Sequence, residues 1–402
     1  MTMMDWLRRG GTGFKWAPVR LRRATQPALR RTLIGASAAT IFVAAAAAGN
    51  EALVFESEVQ RFRVMTVAEG LEHPWAVAFL PDGAMLIAER PGRLRVIREG
   101  ALAKEPIKGV PKVYAKGEGG LLDVALHPQF EKNRLVYLSY AASRPSVGNV
   151  EGVVATTVVA RGRLNGEALE DVKVIFTAEP WTAATSNFGA RLLFAPGGFL
   201  FVTVGDRGGA KEEAQNLAND LGKIIRIRDD GAIPTDNPFV NKPDARPEIY
   251  SYGRCNVRGL AERPAMRQIW AHEHSRDSGD EVNLVKPGGN RGWPRITFSG
   301  RNGRAARPDR VQESGPSGMT FYMGDRFPNW QGNLFIGSLA GRRLRRVAME
   351  RDVAASQEEL LGDLGEPIRD VRTGPDGFIY VLTAGERGRL LRLEPAPSRD
   401  ET

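Results

Sequence analysis

Residues 186–228 read SNFGARLLFAPGGFLFVTVGDRGGAKEEAQNLANDLGKIIRIR, and this stretch decides the fold class. A polar turn at Asn187-Phe188-Gly189-Ala190-Arg191 leads into an apolar strand that ends at Ala195-Pro196-Gly197-Gly198. That tetrapeptide predicts a tight turn, because proline fixes φ and glycine accepts a positive φ. A second strand over 199–204 follows and stops at Gly205-Asp206-Arg207-Gly208. The reading is a hairpin with polar residues crowded at the strand ends, the first place to look for chemistry.

The same unit of strand, Pro or Pro-x-Gly turn, strand returns at 76–87, 121–138, 259–271, 319–336 and 371–381. With the opening hairpin that makes six copies, all between residues 57 and 395. A period of about 50 to 60 residues with two strong strands per copy is the signature of a propeller. Further strands at 93–98 and 389–393 supply outer members of the blades. We therefore expect an all-β chain folded as a six-bladed β-propeller over residues 57–395. A β-sandwich would also use short β-branched strands, but it offers no reason for a long-period repeat, and nothing past residue 48 sustains a helical period. The ring is expected to close by pairing 62–67 with the strands around 390–393. Insertions at 142–152, 208–223, 234–247 and 301–317 are expected on the faces, where function usually sits.

The formal charge of +9 suggests an acidic partner until the charge is located. Residues 1–48 carry Arg8, Arg9, Lys15, Arg20, Arg22, Arg23, Arg30 and Arg31 against Asp5 alone, a net +7, which leaves +2 for the remainder. Nucleic-acid binding thus loses its electrostatic support. The same segment is basic and then apolar from Leu33 to Ala48, which reads as an export signal, with Arg30-Arg31 similar to a twin-arginine motif. A retained membrane anchor is the alternative, the apolar run being just short of a spanning helix. Either way the propeller is expected in the periplasm or secreted, touching a membrane only if the segment is retained. Cys255 is the single cysteine, so no intramolecular disulfide forms. The arginines at 342–346 are expected on a charged sheet edge.

Several short motifs recur in order: Gly205-Asp206-Arg207-Gly208, Leu221-Gly222-Lys223, Tyr252-Gly253-x-x-Asn256, Ala271-His272-Glu273-His274, Gly279-Asp280-Glu281-Val282-Asn283 and Gly292-Trp293-Pro294. Together they resemble the soluble quinoprotein glucose/sorbosone (aldose sugar) dehydrogenases, six-bladed propellers that use pyrroloquinoline quinone (PQQ) with calcium. The resemblance implies oxidation of a small-molecule sugar at C1, with a histidine base taking the hydroxyl proton, hydride passing to the quinone and an electron acceptor regenerating it. It places the base at Asn187 and the carboxylate that orients it at Asp206. An amide is no general base, so Asp206 either takes an amide hydrogen bond or serves as a weaker base itself. Cofactor contacts are implied at Glu118, Asn256, His274 and Arg369. The calcium is implied at the backbone of Ser275 and Arg276, with Glu281 as a hard oxygen donor; a solvated acidic loop is the other reading of that region.

The chain departs from the family pattern at further cofactor positions. Cys255, Ala340 and Pro367 stand where the family supplies cations to the cofactor's carboxylates. Arg254 and Arg258 flank Cys255 and could make it electropositive, although a lone cysteine is more often a small buried hydrophobe. Two functions follow: a PQQ-dependent aldose dehydrogenase, or a propeller that kept the fold and binds a sugar or other ligand without turnover. A metal-dependent lactone hydrolase would draw only on the acidic residues.

Overall fold

The computed structural model describes residues 53–146, 152–274, 281–295 and 315–397. The segment 1–48, Ser275, Arg276 and most of the 301–317 insertion lie outside the described residues. Among the described residues no helix is long and apolar enough to cross a membrane.

Six antiparallel sheets follow one another along the chain. Their innermost strands are Pro74–Phe79, Leu121–Leu126, Gly189–Ala195, Val257–Arg263, Pro316–Phe321 and Ile368–Thr373. Each touches the next, and the sixth touches the first, so they form a closed ring. The chain is a six-bladed β-propeller. Five α-helical or 3-10 segments are described, none longer than five residues.

Inner strands are buried on both faces, whereas outer strands such as Val353–Leu360 are mostly exposed. Met85–Glu89 and Ile379–Thr383 sit in the middle of their blades and are buried along their whole length, which matches their near-continuous apolar sequence. Hydroxyl groups then tie blade to blade. Ser139 Oγ donates to the Ala190 carbonyl, Thr203 Oγ1 to that of Val257 at 2.9 Å and Ser317 Oγ to that of Ile368 at 2.6 Å. Each reaches the innermost strand of the following blade at a register shift, so the bulged carbonyl is satisfied.

The ring closes through the two ends of the described chain. Arg61–Leu71 pairs antiparallel with Gly388–Pro395, matching Phe62 to Pro395 and Thr66 to Leu391, as the leftover strands predict. Leu53–Glu56 adds an outer strand to that sheet. The arginine run is a correction: Arg343–Glu350 is the third strand of the fifth blade, hydrogen-bonded on both sides. Its Arg343 and Arg345 pair with Glu359, and Arg346 with Glu358, across to the real edge strand Val353–Leu360. A cross-strand charge ladder and a charged edge look alike in sequence.

Candidate functional site

The first residues of the innermost strands, and the loops that feed them, converge on one cavity of about 130 Å³. Blade one gives Trp75 and Arg90; the approach to blade two gives Glu118 and Leu122. Phe188 and Gly189 come from blade three, Asn256 and Arg258 from blade four, and Arg369 from blade six.

Asn187 takes a left-handed φ of 51°, which asparagine tolerates better than most residues. Gly189 follows at φ 67°, where a Cβ would sit 2.8 Å from the Thr203 carbonyl oxygen. Arg207, 1% exposed, fastens this turn from below by donating to the Asn187 carbonyl at 2.9 Å and to Thr157 Oγ1 at 2.9 Å. Burial pulls its guanidinium down to about 9, against the pull of Asp206 and Asp220.

A directed chain of hydrogen bonds fixes the amides. The Gly189 N–H donates to Asn256 Oδ1 at 3.1 Å, Asn256 Nδ2 to Asn187 Oδ1 at 3.1 Å, and Asn187 Nδ2 to Asp206 Oδ1 at 2.8 Å. Because it starts at a backbone donor and ends at a carboxylate, both amides have one orientation. Asp206 is fully buried and also accepts the Gly208 N–H and Trp293 Nε1, both at 2.8 Å. Three donors thus occupy its oxygens.

Glu118 Oε2 accepts the Asn187 N–H at 2.8 Å and the Arg258 guanidinium at 2.6 Å. Burial would raise this carboxyl, but Arg258, the Asn187 N–H and nearby His274 together hold it below the ordinary glutamate range. His274 follows the strand Gln268–Glu273, and its backbone N–H donates to the Asn256 carbonyl at 3.1 Å. Arg369 lines the cavity beside Trp75, its guanidinium 6.0 Å from the ring centroid. Burial, then the charges of Arg258, Arg191 and Arg90, pull it down to about 9.

Beneath the cavity Arg191 stacks on Trp75 at 4.3 Å and lies 3.2 Å from Asp370 and 3.5 Å from Asp123. Arg372 bridges the same two acids at 3.3 and 3.0 Å. Arg191, Asp123 and Asp370 are buried and Arg372 is partly buried, and together the four make a charge-balanced floor.

A family model described as Glucose / Sorbosone dehydrogenase matches residues 71–392. The chain belongs to this family. The aldose sugar dehydrogenase of Escherichia coli is 40% identical over 350 residues, 83% of this chain and 92% of that protein. A solved glucose dehydrogenase superposes with a TM-score of 0.78 at 42% identity, covering 83% of this chain and 99% of that one. The PQQ-bound aldose sugar dehydrogenase of Streptomyces coelicolor gives 0.69 at 28% identity, covering 82% and 97%.

Within this member of the glucose/sorbosone dehydrogenase family, Asn187, Asp206, Glu118 and Asn256 are joined by hydrogen bonds, and Arg369 lines the same cavity. Glu281 opens the short strand Glu281–Leu284. Among the described residues no three His, Cys, Asp or Glu side chains are grouped as a metal cage. Cys255 is 5% exposed and packs with Ala214 and Trp293. Its two arginine neighbours are spent elsewhere, Arg254 on Glu273 at 2.6 Å and Arg258 on Glu118. The electropositive setting that would activate the thiol is therefore cancelled. Sequence reasoning missed Arg90, Trp75 and the Trp293 bond to Asp206. Trp293 stood in a quoted motif, which was the available signal; Arg90 and Trp75 carry none locally.

Proposed function

We propose that this protein is a PQQ-dependent sugar dehydrogenase that takes an aldose into the central cavity and oxidises it at C1, at a rate lowered by the missing base. The observation that supports this most is the cavity itself, where residues of five blades converge and three arginines are among the lining. PQQ carries three carboxylates, and Arg90, Arg258 and Arg369 are the cations that would hold them. In charge the site fits the cofactor. The cavity, at about 130 Å³, is smaller than the roughly 300–1,000 Å³ of ordinary ligand sites, so a three-ring cofactor requires it to open. When bound, PQQ supplies the hydride acceptor. The resemblance gives calcium to the backbone of Ser275 and Arg276 and to Glu281, of which the first two lie outside the described residues.

The chain's own residues then bind and orient. Glu118 and the Asn187–Asn256 amides offer hydrogen bonds to sugar hydroxyls. Neither Asn187 nor the capped Asp206 accepts the C1 hydroxyl proton, so that proton would pass to water as the hydride leaves C1. Loss of a positioned general base lowers such a rate by about 10²–10⁴. Residues 1–48, as an export signal, would place the protein in the periplasm or outside the cell, where a soluble electron acceptor completes the cycle.

The saturated Asn187–Asp206 bond favours a second reading, a binding propeller without turnover. Calorimetry with PQQ and calcium, followed by dye reduction with a panel of aldoses, separates the two. We expect PQQ binding and slow dye reduction, raised at least about 100-fold in the Asn187→His/Cys255→Arg double variant. Absence of both PQQ binding and dye reduction would sink the first reading, and sugar binding without any dye reduction would establish the second.

A further inference from the structure

Oxidation of a sugar at C1 releases a proton, and neither Asn187 nor Asp206 can take it. Among the described residues that line the cavity, the ionisable groups are Arg90, Arg258, Arg369 and Glu118. Arginine stays protonated at neutral pH, Arg369 at about 9 included, and so accepts nothing. Glu118 is the one lining side chain among them that can take up a proton and give it back.

It sits against the residue at which the resemblance places the base. The Asn187 N–H donates to Glu118 Oε2 at 2.8 Å, and Arg258 donates to the same oxygen at 2.6 Å. Among the described residues no donor is bonded to Oε1. The Glu118 N–H donates to the Thr185 carbonyl at 2.8 Å, so main chain and side chain both tie Glu118 to the 185–187 turn. One carboxylate oxygen is thus fixed in place, and the other is open to a water or a hydroxyl group. The side chain is 38% exposed, which gives an arriving proton a way out to solvent.

We propose that Glu118 is the proton acceptor of the reaction, its Oε1 holding the water that receives the C1 hydroxyl proton and passes it to the carboxylate. Transfer through one water is within the reach of a general base. In the balanced step the C1–H electron pair passes as hydride to the quinone, and the O–H proton goes to the water and on to Oε1. The C1–O bond becomes double, and Glu118 then gives its proton to solvent. The sugar loses two electrons and the quinone gains them. This rests on the dehydrogenase reading and supplies its missing proton acceptor. Arg258, His274, Arg369 and Arg90 face the carboxylate, and although burial opposes its ionisation, Arg258 above all holds it below the usual 4.5. Glu118 is therefore ionised at neutral pH but a weaker base than histidine, and it recovers only part of the lost rate.

The test measures dye reduction by the full chain with PQQ, calcium and glucose between about pH 4 and pH 8, beside infrared titration of the cofactor-free chain. Glu118→Gln keeps an acceptor for the Asn187 N–H but no base, so kcat should fall at least about tenfold while KM moves less than about threefold. Calorimetry should show this variant binding PQQ at least as tightly as the wild type, which separates lost rate from lost cofactor. In the Asn187→His/Cys255→Arg background, where a histidine takes the proton, the same substitution should cost less than about threefold. The wild type should hold its rate down to about pH 5, whereas a histidine base fails below about pH 6.5. The carboxylate band missing from Glu118→Gln should titrate below 4.5. Equal kcat in wild type and Glu118→Gln, an equal fall in the histidine background, a wild-type rate lost below about pH 6.5, or a Glu118 band still protonated at about pH 7 would each overturn the proposal and leave the dehydrogenase reading standing. A wild type that binds no PQQ or reduces no dye overturns both.

Discussion

Asp206 illustrates how one side chain can change occupation without changing place. Where a histidine base would need orienting, its oxygens receive Asn187 Nδ2, the Gly208 N–H and Trp293 Nε1, all at 2.8 Å. Removing it leaves three donors without their acceptor, of which Trp293 Nε1 is buried, and an unsatisfied buried donor costs about 1–3 kcal/mol. Asp206→Ala is therefore expected to lower the unfolding free energy by about 1–3 kcal/mol, measured by urea denaturation. If the variant unfolds at the wild-type midpoint, the network is not holding this turn together. None of this was readable at residue scale beyond the presence of Asp206. Its tryptophan partner is 87 residues away and Glu118 is 140 residues from Arg258. Pairing over such distances leaves no local trace, whereas the substitution of Asn187 for a base could be read directly from the motif around it.

The elements were far more legible. Pro-x-Gly hairpins such as 81–83, 196–198 and 375–377 announce themselves because both residues restrict or extend φ, and six strand–turn–strand copies at a regular spacing imply six blades. The strand containing Phe62 was the one left over, and it supplies the closure. Phe62 is fully buried, stacked on Phe55 at 5.6 Å and edge-on to Trp330 at 5.4 Å. Phe62→Ala should cost about 3–5 kcal/mol, because it opens a cavity in the sheet that joins both chain ends. Val174→Ala, on an outer strand where Val174 is 57% exposed, should change stability by less than about 0.5 kcal/mol. Equal denaturation midpoints for the two variants would mean that the closing sheet contributes no more than the periphery. What sequence could not show was which arginine strand is an edge, because Glu358 and Glu359 neutralise Arg343, Arg345 and Arg346 only once the register is known.

For the molecule as a whole, acid stability turns on His272 in the fourth blade. Its ring is fully buried, and burial first, then the Arg191 charge, pushes its pKa down from 6.5 to about 3. Between those values the unfolded chain takes up a proton that the folded one refuses. Its contribution is complete above about pH 6.5 and is lost as pH falls through that window, by up to about 1.4 kcal/mol per pH unit. Asp220 opposes it: burial and Glu248 raise its carboxyl to about 7, which favours the folded state as pH falls from 7 towards 3.8. The difference between wild type and His272→Gln isolates the imidazole. Urea unfolding at pH 7 and pH 4 should show the wild type losing more stability than the variant, and parallel losses would rule His272 out as the group responsible.

The pairing of Arg61–Leu71 with Gly388–Pro395 also has a meaning in time. The Arg63–Glu394 bond spans 331 residues, so the earlier strand must wait for a partner made 331 residues after it. Until then the innermost strands form an open arc with an unpaired end, and the cavity, which needs both blade one and blade six, does not exist. Contacts of such sequence separation form slowly. A chain cut short before residue 388 therefore loses more than its last strand: the ring stays open, and with it goes the meeting of Trp75, Arg90 and Arg369 on which the site depends.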